Sequence, residues 1–483
     1  MSAPPTSAGT RSHTGLALLV IMIGVLMVAI DTTIVVLALP VMQRSLHVAL
    51  SAVIWVIIGY LLTITLVSTQ VGRLGDVFGR VKMYEAGFLV FIVGSALCAL
   101  ATNEGTIIGF RIIQGLGGAL VMANSGAVIA DTFPPNKLGR AYGFNSVGYT
   151  VGAIFGILLG GVIVTYFSWR WIFWVNVPIG IVAYGLALKV LHDSGKRQKQ
   201  KLDLVGMLVL GLGLFGVLWG ITKLATDPFS TEIFLYLVIG VALMVAFIFV
   251  EKAREAPMVH LSIFKVPTMT PTLTAAFFQG LANYAVLFLV IMYLQGVREY
   301  SPLKASLLLV PGYIIGSFVG PVSGKLADKV GPILPATVGL GIQVVALLLY
   351  AQLGTTTGMW VVVLASVVSG IGASAFFPAN NSAVMKASPP EMFGIASGML
   401  RTFSNVGMVF SFAVAILVAA RSIPRNLAFA IFVGTTQLTS HLANVFTSGL
   451  HSAFYASMIF MALAAALSAT RVFMRSWRRT SAR

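Results

Sequence analysis

The chain has 483 residues, 58% of them hydrophobic and 9% charged, and a mean hydropathy of +0.95. A soluble globular domain carries about 25% charged residues, so a water-soluble globule of this length would lack the polar surface to coat itself. The formal net charge of +17 would suit a nucleic-acid binder, but the cations cluster in short segments between apolar runs, as the positive-inside rule expects of a membrane protein, and nucleic acid is excluded on that ground.

Apolar runs of about 20 residues recur along the chain, each long enough to cross a bilayer as a helix. A spanning segment must satisfy its own backbone hydrogen bonds, and the runs lack the alternation of a membrane barrel, so an all-α membrane fold is expected. The first 14 residues are polar and small and lack the layout of a cleaved signal, so the first run is expected to remain as span 1, Leu16 to Leu39. Spans 2 to 6 are read at Ser51 to Val71, Lys82 to Ala101, Thr106 to Ala130, Arg140 to Thr165 and Trp171 to Leu191. Spans 7 and 8 are Leu204 to Thr222 and Glu232 to Val250. Spans 9 to 14 are Thr270 to Gln295, Leu303 to Leu326, Ile333 to Leu353, Met359 to Ala383, Phe393 to Ala420 and Ser452 to Phe473. With both termini inside, about 22 Lys and Arg fall on the cytoplasmic side and about 7 outside, and reversal would invert that ratio. The richest inner segments are Lys196 to Lys201 and a C-terminal tail with Arg471, Arg475, Arg478 and Arg479, read as topology signals and contacts with anionic lipid. The stretch from Ser422 to His451 is long and moderately apolar and reads as an interfacial or re-entrant element.

An internal repeat organises these spans. Gly72-Arg-Leu-Gly-Asp76-Val-Phe-Gly79-Arg80 follows span 2, and Gly324-Lys-Leu-Ala-Asp328-Lys-Val-Gly331 follows span 10. Parallel repeats of six helices make such a pattern in one transporter class. The count then divides as six, two and six: residues 1–191, two additional helices with linkers in 192–265, and 266–483.

Asp31 lies about nine residues, or about 13 Å, from the outer end of span 1 at 1.5 Å per residue. An intramembrane carboxylate is expensive and marks a functional site by default; the alternative is a structural carboxylate bonded to Thr32, Thr33 or a neighbouring helix. Arg111 lies at comparable depth in span 4, about 7 Å from its outer end, with Gln114 one turn further on the same face. Burial disfavours a charged carboxyl and a nearby guanidinium favours it, so such a pair can serve as a proton switch; a structural or snorkelling Arg111 is the alternative. Span 5 carries Gly148, Gly152, Gly156 and Gly160 at intervals of four, a smooth stripe for close helix packing. Polar and aromatic side chains set among apolar residues are candidate substrate contacts: Trp55, Tyr60, Gln114, Asn124, Asn145, Tyr149, Phe278, Gln279, Asn283, Tyr284 and Tyr313, each also readable as core or lipid-facing packing. No catalytic nucleophile, phosphate-cradling loop or metal cluster is evident; the six His are scattered at ends and loops, and the single Cys98 lies in an apolar run. An enzyme is therefore not expected, nor any cofactor or metal.

The signature loop from Gly72 to Lys82, with Arg111, Gln114, Gly115 and Gly117 in span 4, resembles the major facilitator superfamily. The runs Ile30-Asp31-Thr-Thr-Ile-Val-Val-Leu-Ala-Leu-Pro40, Trp169-Arg-Trp-Ile-Phe-Trp-Val-Asn176-Val-Pro178-Ile-Gly180 and Tyr293-Leu-Gln295 resemble its 14-helix drug:proton antiporter branch, of the multidrug efflux type. The resemblance implies two six-helix bundles plus two extra transmembrane helices. It implies a proton-coupled exporter of lipophilic drugs or other small molecules at the cytoplasmic membrane, monomeric, with substrate, protons and membrane lipid as its partners. An exporter of one metabolite such as a sugar, amino acid or natural product is the runner-up. Asp31 and Arg111 take the proton-linked positions. Gly72, Arg73, Asp76, Gly79, Arg80, Asp131 and Arg140 form a cytoplasmic latch, in which Asp76 faces Asp131 and Arg140, and Asp328 forms a weaker second copy with Lys325 and Lys329. Two departures stand out. The branch's antiporter signature has proline after the third glycine of the span 5 stripe, where this chain has Ile157, so no proline kink is expected. Spans 9 to 14 carry no acid away from their loop edges, which argues for a neutral or weakly charged substrate.

Overall fold

The computed structural model describes residues 8–48, 50–133, 138–193, 201–259, 263–264, 266–388, 393–421 and 440–480. They are helical apart from short connections, with no strand among the described residues. The first six helices are α1 (Ala8–Leu46), α2 (Leu50–Phe78), α3 (Arg80–Leu100), α4 (Glu104–Thr132), α5 (Leu138–Tyr166) and α6 (Trp171–Val190). The inserted pair is α7 (Leu204–Thr226) and α8 (Thr231–Ala253). The last six are α9 (Met269–Met292, closed by the π-turn Tyr293–Val297), α10 (Pro302–Val330), α11 (Ile333–Tyr350), α12 (Met359–Ala387), α13 (Phe393–Arg421) and α14 (Ser440–Thr480). Thirteen are long and apolar enough to span a membrane, and α2, bent by 51° between Ala52–Ser68 and Gln70–Phe78, makes fourteen.

Local chemistry explains several boundaries. Asn103 and Thr106 form a reciprocal capping box at the start of α4. Asp203, Ser230 and Ser301 each cap a helix with a side-chain oxygen, and Pro302 follows Ser301 at the first position of α10. Gly79 and Gly331 take φ of 111° and 92°, values that L side chains rarely adopt. They stand at the same offset in the two repeat loops and turn the chain from α2 into α3 and from α10 into α11. Gly72 has open space around its Cα, so close helix approach is not its role.

One packing scheme appears twice. In the first bundle α1 lies against α5, α2 and α3 against α4, and α1 and α3 against α6. In the second, α9 lies against α13, α10 and α11 against α12, and α9 and α11 against α14. The bundles meet where α5 crosses α10 and α2 crosses α13, the same pair of positions exchanged between repeats. The inserted α7 and α8 pair with each other, and α7 rests on α2 and α13.

Between helices in lipid the hydrophobic effect is weak, and close contact depends on small residues. The stripe on α5 supplies it. A Cβ at Gly148, Gly152, Gly156 or Gly160 would press on Met22, on Leu26 and Ala29, on Ile30 and Thr33, or on Ile34 and Leu37 of α1. Thr33 Oγ1 reaches Ala153 O at 3.3 Å across this seam. Gly161 turns the other way, onto Leu303 and Ser306 of α10, and Thr165 Oγ1 accepts from Leu303 N–H at 3.1 Å. The bundles are thus closed on each other at the end away from the chain termini. Ile157 is fully buried in an unbroken α5.

The structure corrects two terminal readings. The last helix begins at Ser440 and not at Ser452, so the second part of the expected 422–451 loop is helix; residues 422–439 lie outside the described residues. Arg471, read as a tail cation, is 1% exposed inside the second bundle. Its guanidinium donates to Thr272, Asn380 and Ser468, which ties α14 to α9 and α12.

Candidate functional site

Asp31 and Arg111 meet in the interior of the first bundle. Asp31 Oδ2 accepts from Arg111 Nη1 at 2.6 Å. Asp31 Oδ1 accepts from Gln114 Nε2 at 2.8 Å and from Asn176 Nδ2 at 3.2 Å. Arg111 also donates through Nη1 to Gln114 Oε1 at 2.6 Å and through Nε to Val56 O at 2.9 Å. Gln114 in turn donates to Ser95 Oγ at 2.7 Å. Arg111 Cζ lies over the Tyr60 ring, 4.0 Å from its centroid, a cation–π contact strengthened by the burial of both side chains. Five helices contribute to the cluster. Asp31, Gln114 and Asn176 are 0% exposed and Arg111 1%.

This geometry is that of the ionised pair. A carboxylate has only acceptors, and here three donors converge on it. Hydrogen bonds to the charged form favour it, and desolvation opposes it. A buried pair of this kind contributes little net stability, but removing one partner is costly.

The sequence reading left Asn176 and Ser95 unassigned. Asn176 was visible only as part of the run from Trp169 to Gly180. Nothing marked Ser95, which shares the buried face of α3 with Cys98.

The candidate contacts divide into two sets. Trp55 is 4% exposed, donates to Thr222 Oγ1 at 3.2 Å and packs against Phe215 and Trp219 of α7, so it fastens the insert and does not face a cavity. Tyr60 and Gln114 belong to the ion-pair cluster. Asn124 is buried against Gly75 of α2, Gln279 donates to Gln343 on α11 at 3.2 Å, and Phe278 stacks on Phe460 of α14. These six are interior packing. The others are more open: Tyr149 is 36% exposed, and Asn145, Asn283, Tyr284 and Tyr313 are half-buried. The hydroxyls of Tyr149 on α5 and Tyr284 on α9 meet across the two bundles, and Tyr313 of α10 lies beside them.

The expected latch is built differently. Arg80 is its centre, 2.9 Å from both Asp76 and Asp131, and the side chain of Arg140 lies outside the described residues. These bonds join the ends of α2, α3 and α4 within one bundle. Arg73 turns away and donates to the carbonyls of Lys201, Ala256 and Pro257 at 3.1, 2.9 and 2.6 Å, clamping the linkers of the inserted pair. Asp328 is exposed and reaches Lys386 of α12 at 3.6 Å, in place of the expected Lys325 or Lys329. Exposed ion pairs contribute up to about 1 kcal/mol each, so losing both of Arg80's should loosen this end by a factor of about five to ten. Arg80→Gln is expected to raise hydrogen exchange at 76–81 and 130–133 by that factor and leave the distant α9 to α12 unchanged. Unchanged exchange at 76–81 would show that the bonds brace nothing.

Two bundles repeating one packing scheme, with a buried ion pair at membrane depth, define a multi-pass membrane transporter. The chain belongs to the major facilitator superfamily, whose profile matches residues 21–412. It is 31% identical over 422 residues to the tetracenomycin C resistance and export protein of Streptomyces glaucescens, covering 86% of this chain and 78% of that one. It is 29% identical over 423 residues to the riboflavin transporter RibZ of Clostridioides difficile, with 86% and 90% covered. Among solved structures it resembles a bacterial homologue of the human lysosomal transporter Spinster, in an inward-facing and unoccupied conformation, with a TM-score of 0.67 at 17% identity over 98% of this chain and 99% of that one. The family and these relatives are transporters and not enzymes.

Proposed function

We propose that the protein is a proton-coupled exporter of lipophilic small molecules, working by alternating access across the cytoplasmic membrane. The observation that carries this reading is Asp31, a carboxylate at membrane depth that is 0% exposed and held by one guanidinium and two amides. A driven cycle needs a group whose charge changes between the two facings, and Asp31 with Arg111 supplies one. The substrate binds between the bundles near Asn145, Tyr149, Asn283, Tyr284 and Tyr313, whose phenol rings and amides suit flat ring systems carrying hydrogen-bonding groups. That one relative is named for exporting tetracenomycin C and another for transporting riboflavin supports a small-molecule cargo. The riboflavin relative also favours a second reading, in which the cargo is one metabolite. The protein acts as a monomer with both termini in the cytoplasm, and its two units, 1–191 and 266–483, rock about that cavity with 192–265 attached. The signature loop biases the resting state through Arg80, Asp76 and Asp131.

Transport of a panel of dyes, drugs and flavins by proteoliposomes, with and without an imposed pH gradient, tests this. Gradient-dependent flux that collapses on adding a protonophore is expected for several unrelated compounds. Flux of one compound alone would select the metabolite reading. Flux indifferent to the gradient would remove proton coupling.

A further inference from the structure

The inserted helices α7 and α8 join the first bundle beside the end of α2 that precedes Gly79, and the junction holds acids that the ion-pair cluster does not use. Asp203 caps α7, its Oδ1 accepting from Gly206 N–H at 2.8 Å. Glu251 lies in the last turn of α8, its Oε2 accepting from Val259 N–H at 2.8 Å. Both are buried, 4% and 3% exposed. The second oxygen of each, Asp203 Oδ2 and Glu251 Oε1, has no hydrogen-bond donor among the described residues. Both oxygens converge on the space beside Gly206, where a Cβ would collide with them, and the two carboxyls lie within hydrogen-bonding reach of each other. Gln70 of α2 enters the same spot. Its Oε1 accepts from Asp203 N–H at 3.1 Å, while its buried Nε2 has no acceptor.

Two ionised carboxylates offer only lone pairs to each other, so a close buried pair keeps one proton. The neighbouring cations, of which Arg73 and Arg254 favour the ionised forms by their charge, donate to neither unpartnered oxygen. Arg73 of α2 gives its bonds to three backbone carbonyls. Arg254, at the end of α8, stands 3.6 Å from Asp203 Oδ1, the capping oxygen. Lys201 pairs with Glu255 at the surface and holds that carboxyl below its ordinary range, and Lys252 lies over Phe249. From α13, packed on α7 and α2, Arg401 donates to Met122 O of α4. We infer that Asp203 and Glu251 hold one proton between them, a second proton-binding site at the joint between the inserted helices and the first bundle. The proton bonds Asp203 Oδ2 to Glu251 Oε1. When it leaves to water, past the partly exposed Arg254, the two carboxylates repel each other and the ends of α7 and α8 separate. The linker residues clamped by Arg73 flank the same two acids, so the clamp loosens with them.

The test uses the purified full-length protein in detergent without substrate. Infrared difference spectra across a pH titration are expected to show a protonated-carboxyl band that shifts in D2O. Glu251→Gln and Asp203→Asn should each lose that band, the latter keeping the helix cap, and Asp31→Asn should keep it. Hydrogen exchange at 256–259, corrected for intrinsic rate, should rise about tenfold through the same titration in the wild type and stay flat in both dyad variants. A band that survives in both variants overturns the proposal, as does exchange with the same pH dependence in all three proteins. Neither readout requires transport, so failure here and failure of the Asp31 reading are separate results.

Discussion

Asp31→Asn is expected to bind substrate and to lose export driven by a proton gradient. The substitution keeps the shape of the side chain and one oxygen for Arg111, so the cluster can still close around it. It removes the only group in the cluster whose charge can change on taking up a proton, since Arg111 stays charged and the remaining partners, Gln114, Asn176 and Ser95, are neutral. One proton exchanged per substrate across one pH unit supplies about 1.4 kcal/mol, a tenfold accumulation. Any net charge moved adds about 2.3 kcal/mol for each 100 mV. The variant should show none of this accumulation while equilibrating substrate down its own gradient. Proteoliposomes with an imposed pH difference, alongside equilibrium binding, separate the two outcomes. Tenfold accumulation by a folded Asp31→Asn protein would place coupling elsewhere.

The spans were legible because hydrocarbon solvent leaves few choices: a run of about 20 apolar residues must close its own hydrogen bonds as a helix. The repeat was legible for a related reason. Gly79 and Gly331 both need a positive φ, so the turn stamps the same residue at the same offset twice. Asp31 and Arg111 stood out because charges at that depth are rare, and Gln114 followed from its place one turn from Arg111. Asn176 and Ser95 did not stand out, because a polar residue among apolar ones looks the same whether it serves an ion pair or its own helix. The candidate contacts failed in the same way. Trp55, Asn124 and Gln279 lie on helices that border the space between bundles, yet their side chains point into neighbouring helices. Helix rotation about its own axis decides this. In these helices apolar residues cover every side, so no hydrophobic stripe marks the buried face. Arg73 was misplaced because nearness in sequence to Asp76 said nothing of the linkers that return beside it from either end of the inserted pair.

The ion pair also sets the sharpest expectation for stability. Arg111→Met leaves Asp31 with two amide donors and no cation, at a buried position. Removing one partner of a buried pair costs about 3–5 kcal/mol. The guanidinium also bridges α1, α2 and α4 through Asp31, Val56 O and Gln114, and methionine fills its volume without those bonds. Adding Asp31→Asn to Arg111→Met removes the stranded charge. The double variant is therefore expected to be more stable than Arg111→Met alone, against the usual rule that two core substitutions are worse than one. Thermal unfolding of the four proteins in one detergent measures this. Losses that simply add in the double variant would mean that Asp31 and Arg111 are not coupled, and the proposed proton switch would lose its basis. Neither variant should accumulate substrate against a gradient, because each has lost the ion pair on which the proposed coupling rests.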